Sequence, residues 1–146
     1  MIQLFTIGFA ETSAERFFTL LRASGARRVI DVRLNNTSQL SGFTKKDDLR
    51  FFLREVGGID YLHMPELAPT PDILDAFKKH KGSWDVYERA FKQLMATRSI
   101  ENAIAQGVAD RGCLLCSEKR PEHCHRRLVA EYLQGKWPEL VVTHLV

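Results

Sequence analysis

A chain of 146 residues with 45% hydrophobic and 27% charged side chains has the size and balance of a globular domain. Its formal charge of +3 permits contact with an anion or a nucleic acid without demanding it. No run of about 18 apolar residues occurs, so no membrane-spanning helix and no membrane partner are expected. The opening MIQLFTIGFAETSAE lacks the basic start of a signal peptide. Three cysteines, an odd number, suit a reducing cytoplasm better than a disulfide scaffold, so a cytoplasmic location is expected.

The apolar run Ile2 to Ile7, ended by Gly8, predicts a buried strand. Thr12 and Glu15 have capping-box spacing, and Ala14, Phe17, Phe18 and Leu21 follow at helical spacing up to Gly25. Val29 to Val32 is a second buried strand, which completes a βαβ pattern with parallel strands. A polar loop runs from Arg33 to Gly42. Thr44 is placed to cap a helix with Leu49, Phe52, Leu53 and Val56 on its inner face, ended by Gly57-Gly58. Ile59 to Met64 reads as a third strand. Pro65, Pro69 and Pro71 mark an irregular loop, with Pro71 opening a short helix.

Ser83 is placed to cap the next helix, which turns Trp84, Tyr87, Phe91 and Leu94 inward. Ser99 to Val108 continues as a helical segment. Gly112 to Cys116 is the fourth strand, Pro121 to Gln134 the last helix and Leu140 to His144 the last strand. No repeat or linker interrupts this alternation. Residues 1–146 are therefore expected to form a single three-layer α/β domain, with a mostly parallel sheet of about five strands flanked by helices.

Ligands in such sheets sit beyond the carboxyl ends of the strands, which directs attention to the loops there. Asp31 and Arg33 are two apart on a strand and point to the same face. Cys113 and Cys116 are three apart, so they face opposite sides, and the C-x2-C spacing does not make a zinc knuckle. Cys113 reads as a core residue, and no metal site is assigned. Cys116 falls at the strand end. Cys124 falls in the first helical turn, where the dipole and free N–H groups can activate a thiol, although Cys124 also shares a helix face with Leu128 and Tyr132. Glu118 and His125 are candidates for acid/base work. Asp31, Arg33, Ser38 and Arg126 are candidates for substrate binding, the arginines holding an anion. An internal ion pair of Arg33 or Arg126 with Asp31 or Glu118 is the competing use of these side chains. His80 and His144 are read as structural or exposed.

These residues carry a resemblance. Thr6-Ile7-Gly8, Asp31-Val32-Arg33, Phe43, Gly58-Ile59-x-Tyr61, Glu66-Leu67 and Cys116-Ser117-Glu118-x-x-Pro121-x-x-Cys124-His125-Arg126 occur in an order similar to that of the domain of unknown function 488 family. The resemblance spans nearly the whole chain and implies a compact α/β fold in a cytoplasmic bacterial or archaeal protein. It implies no particular activity. The chain departs from the pattern at Gly8-Phe9-Ala10, where many members carry Gly-His-Ser, and at Asn35-Asn36-Thr37-Ser38, where others often carry Pro.

Three functions follow. The first is a small enzyme acting on an anionic substrate, such as a nucleotide or nucleic acid, through an Arg/Glu/His/Cys pocket at the strand ends. The second is a non-catalytic nucleic-acid or protein binding module using the same arginines. The third is a metal or redox protein using Cys116, Cys124 and His125. The residues name no cofactor.

Overall fold

The computed structural model describes residues 1–37 and 42–146. Five parallel strands, β1 (Ile2–Gly8), β2 (Arg28–Asp31), β3 (Asp60–His63), β4 (Gly112–Cys116) and β5 (Leu140–Leu145), form one sheet in the order β3-β2-β4-β1-β5. Seven helices are present among the described residues: α1 (Ala14–Ser24), α2 (Lys46–Gly57), α3 (Pro71–Lys78), α4 (Trp84–Arg98), α5 (Ile100–Ala103), α6 (Gln106–Ala109) and α7 (His125–Lys136). The expected class is correct. The strands with neighbours on both sides are also the most apolar. β4 is buried at every position, and Val29, Ile30 and Asp31 of β2 are buried too. The edge strand β3 alternates between exposed and half-buried residues. That is the pattern expected when helices cover both faces of a parallel sheet.

Two hydrophobic layers result. On one face α1 and α2 pack Phe17, Leu21, Leu49 and Leu53 against Ile7, Val29 and Cys113. On the other, α3 to α7 pack Tyr87, Phe91, Met95, Leu128 and Leu133 against Leu4, Ile30, Leu114 and Cys116. Each fully buried Phe or Leu in these layers contributes about 1.5–3 kcal/mol of transfer free energy. Cys113 and Cys116 lie on opposite layers, as their spacing on a strand requires.

Local chemistry sets the helix ends, with some differences from expectation. Ser13, not Thr12, caps α1 and accepts from the Arg16 N–H, while the Thr12 hydroxyl donates to the Ala10 carbonyl. Gly25 and Gly58 end α1 and α2 in the left-handed region, with φ of 79° and 61°. α2 begins one residue later than Thr44 would set it, with Lys45 at the N-cap, because Thr44 is buried in a 3-10 turn where its carbonyl accepts from Arg33. Phe52 and Val56 of α2 remain 37% and 40% exposed, so the inner face of this helix is narrower than its sequence pattern predicts. The helical segment after Ser99 is broken into α5 and α6. Residues 117–124 form a turn, and α7 starts only at His125 with Cys124 as its N-cap.

The topology locates a crevice. The chain leaves β1 and β2 toward β3 through α1 and α2 on one face. It leaves β3 and β4 toward β5 through α3 to α7 on the other. The connections after the neighbouring strands β2 and β4 therefore diverge, and the space beyond their carboxyl ends is left open for a ligand.

Candidate functional site

A pocket of about 340 Å³ occupies this position. Its floor is the end of β4 and the start of α7, represented by Cys116, Cys124 and His125. Its wall is aromatic, from Phe77 of α3, Trp84 and Tyr87 of α4 and His123 of the 117–124 turn. Lys78 and Glu118 complete the lining near Ser117. Trp84 stacks on Tyr87 at 5.0 Å and on His123 at 4.9 Å between ring centroids. Trp84 and Tyr87 were legible only as core positions of α4, because helical spacing does not say whether an inner face meets packing or a cavity.

The floor is compact. The Cys116 and Cys124 sulfurs and a His125 ring nitrogen all lie within 4.8 Å of one another, and all three residues are buried. Cys116 Sγ is 3.4 Å from His125 Nδ1. His125 Nε2 is 2.6 Å from the Val32 carbonyl oxygen. A carbonyl can only accept, so Nε2 carries the proton and donates it. In a neutral ring Nδ1 is then the unprotonated nitrogen, and Cys116 Sγ lies 3.4 Å from it and 3.9 Å from Nε2. Phe91 meets the His125 ring edge-on at 5.5 Å and fixes its orientation from below.

The two thiols differ. The hydrogen bond with Cys124, burial and the charge on Cys124 push the Cys116 thiol well above the ordinary range. Burial also pushes Cys124 up. That effect is outweighed by the hydrogen bond from Cys116, by His125 when its ring takes a second proton on Nδ1 and can donate to the sulfur, and by the positive charge of Arg126, which hold Cys124 well below the ordinary thiol value. Its position at the N-cap of α7 adds the partial positive charge of the helix terminus. Burial, then the charges of Cys116 and Cys124, keep the Tyr87 phenol protonated far beyond its usual range. Cys113 is raised by burial on the other face of the sheet and takes no part.

The remaining candidates divide into two groups. Asp31 and Arg33 form a closed ion pair, with Arg33 Nε donating to Oδ1 at 2.9 Å and Nη2 to Oδ2 at 2.8 Å. The Tyr61 hydroxyl donates to Asp31 Oδ2 at 2.5 Å, and Asn36 donates to the Tyr61 oxygen at 3.1 Å. Tyr61 stood in the family pattern, but nothing in the spacing tied it to Asp31. Burial and the bond to Asp31 raise the Tyr61 phenol. Phe9 lies 5.3 Å beneath the Arg33 guanidinium, so the aromatic ring at the departure from Gly-His-Ser holds the arginine from its other side.

Arg126 is fully buried and donates to the Glu118 carbonyl at 2.6 Å and the Lys119 carbonyl at 3.3 Å, which shapes the 117–124 turn. The Glu118 carboxylate is half-exposed at the pocket and pairs with Lys78 at 2.6 Å. The structure therefore brings Cys116, Cys124 and His125 together, sets Glu118 beside them and engages Asp31, Arg33 and Arg126 in internal contacts. Ser38 lies outside the described residues.

The profile of a family described as "Domain of unknown function DUF488" matches residues 13–133. The chain belongs to the DUF488 family. Comparison with curated proteins and with solved structures finds no match. Within this DUF488 chain the signature residues have distinct tasks. Arg126 holds the turn, Cys116 and Cys124 form the pocket floor, and Gly8 lets β1 pass beneath the turn. A Cβ on Gly8 would overlap the Glu118 carbonyl. The Phe9 and Ala10 N–H groups donate to the Ser117 carbonyl at 3.3 and 2.8 Å, which ties the β1 loop to the same turn. No helix among the described residues is long and apolar enough to cross a membrane.

Proposed function

We propose that this DUF488 protein is a small enzyme whose reaction centre is the Cys116, Cys124 and His125 cluster, acting on a nucleotide-sized anion with a planar ring. The observation that carries this reading is the convergence of three buried reactive side chains at the floor of an aromatic-walled pocket. A pocket of about 340 Å³ is within the range of small-molecule sites. Trp84, Phe77 and Tyr87 supply flat apolar surface for a ring. Among the described lining residues Lys78 is the exposed cation for an anionic group; Arg33 also lines the pocket, but its Nε and Nη2 face Asp31 and the Thr44 carbonyl, and Arg126 faces the Glu118 and Lys119 carbonyls. The Lys78–Glu118 pair is exposed enough to exchange partners. An anion on Lys78 frees the Glu118 carboxylate to act as acid or base beside the thiols.

The test is alkylation of the reduced protein with iodoacetamide, followed site by site by mass mapping, with and without a panel of mononucleotides. Protection of Cys116 or Cys124 by a mononucleotide, lost in Trp84→Ala and weakened in Lys78→Ala, is the expected result. If no mononucleotide slows alkylation at either cysteine, the reading fails.

A further inference from the structure

We infer that Cys116 Sγ, Cys124 Sγ and His125 Nδ1 form a three-ligand zinc site whose fourth position opens into the aromatic-walled pocket. The inference deepens the reading above and shares its pocket, but it concerns which cofactor the cluster takes.

Four observations support it. First, the donor set suits the ion. Two thiolates and one imidazole are soft and borderline ligands, which favour zinc over magnesium or calcium. Second, the spacing suits the ion. Zn–S and Zn–N bonds of about 2.3 and 2.0–2.1 Å at a tetrahedral angle set sulfur and nitrogen about 3.5 Å apart and two sulfurs about 3.8 Å apart. Cys116 Sγ and His125 Nδ1 are already 3.4 Å apart. The 4.8 Å bound on the whole cluster leaves at most about an ångström of closure for the sulfurs.

Third, His125 is oriented as metal-bound histidines are. Its Nε2–H donates to the Val32 carbonyl at 2.6 Å, which fixes the tautomer and leaves Nδ1 as the unprotonated nitrogen, 3.4 Å from Cys116 Sγ against 3.9 Å for Nε2. The ring edge against Phe91 leaves it little freedom to turn away. Fourth, the ligand count matches a reactive site. Cys113 would complete a closed four-ligand set, but it lies on the opposite layer of the sheet. Three protein ligands with the fourth position facing a pocket is the arrangement of catalytic zinc, where the open position takes water or a substrate atom. The C-x2-C spacing drew attention to the wrong pair. The site joins Cys116 to Cys124 and His125 across the turn, and Arg126 maintains that turn through the Glu118 and Lys119 carbonyls.

The same 3.4 Å contact would also serve a thiol hydrogen bond to Nδ1 in a metal-free site, and one titration separates the two. Reduced protein stripped with a chelator is titrated with Co²⁺ and then Zn²⁺. The expected result is thiolate-to-cobalt charge-transfer absorption with tetrahedral ligand-field bands, saturating at about one equivalent and bleached by Zn²⁺. Cys116→Ser, Cys124→Ser and His125→Ala are each expected to weaken cobalt binding at least about tenfold, and Cys113→Ala to leave it unchanged. Where a ligand variant is unfolded by circular dichroism, the wild-type chain supplies the second measurement. One equivalent of Zn²⁺ should shield Cys116 and Cys124 from alkylation.

No thiolate-to-cobalt absorption in the wild-type protein overturns the inference, as does cobalt binding that survives in folded Cys124→Ser. Mononucleotide protection in metal-free protein that binds no cobalt would retain the pocket and remove the zinc. Cobalt binding without mononucleotide protection would retain the zinc and remove the proposed substrate.

Discussion

Asp31 and Arg33 grip each other through two parallel hydrogen bonds of 2.9 and 2.8 Å, with 0% and 3% of their surfaces exposed. This pair forms at the end of β2, beside the floor of the pocket, and it determines where the backbone goes next. The Arg33 N–H also donates to Asp31 Oδ1, and the Arg33 carbonyl meets His63 Nε2 at 2.9 Å. The carboxylate therefore closes the strand, and the arginine carries the chain across to the Thr44 carbonyl. The Val32 carbonyl between them is the acceptor that orients His125. A buried ion pair thus acts on the site at one remove.

Removing one member of that pair leaves the other charge buried and unpaired. Asp31→Asn is expected to cost about 3–5 kcal/mol in urea unfolding, while joint replacement by Asp31→Leu and Arg33→Met recovers much of the loss. The exposed Lys78–Glu118 pair is the contrast: Glu118→Gln is expected to change stability by less than about 1 kcal/mol. Equal costs for Asp31→Asn and Glu118→Gln would show that burial does not set the worth of these pairs.

Gly8 is the second position where a small change should reach the pocket. An added methyl group would overlap the Glu118 carbonyl and crowd Arg126 Nη1, and the Arg126 side chain is fully buried. Gly8→Ala is expected to destabilise by about 1–3 kcal/mol, the usual cost of overpacking. It should also displace the 117–124 turn, which amide chemical shifts of Ser117 to Cys124 would register. Wild-type stability with unmoved shifts would mean that the turn has room that the structure does not show.

Much of this was legible from residues alone, and the reasons are physical. The strands β1, β2 and β4 announce themselves because strands covered on both faces are buried along nearly their whole length and read as largely apolar runs. The opposite faces of Cys113 and Cys116 follow from the two-residue period of a strand. The ion pair of Asp31 with Arg33 was visible as one of two uses of the same side chains, but spacing cannot choose between an open and a closed carboxylate. Tyr61 decided it, by donating from β3 across the sheet. The start of α7 was misplaced because Pro121 reads well as a first helical residue. In the fold the segment from Pro121 to Cys124 is a turn, with the Cys124 N–H on the Pro121 carbonyl at 3.2 Å. That turn moves Cys124 to the N-cap and swings it onto Cys116, a meeting no linear spacing encodes.

His144 makes the last prediction. The Thr6 hydroxyl meets His144 Nδ1 at 2.6 Å where β1 and β5 pair. Burial lowers the imidazole's proton affinity, as do the charges of Arg126 and Arg127, against opposing contributions from Glu131 and Glu122. The folded pKa therefore lies below the unfolded value of about 6.5. As pH falls through that value the unfolded chain takes up a proton before the folded one does, so stability drops. The loss levels off once the pH is below the folded pKa, and above about pH 7.5 this group contributes no pH dependence. Urea unfolding of the wild type and of His144→Gln, measured from about pH 7.5 to about pH 5, isolates the effect from other titrating groups. The variant should lose less stability over that range. An identical slope in the two proteins would place the pH dependence elsewhere and show that His144 is as readily protonated folded as unfolded.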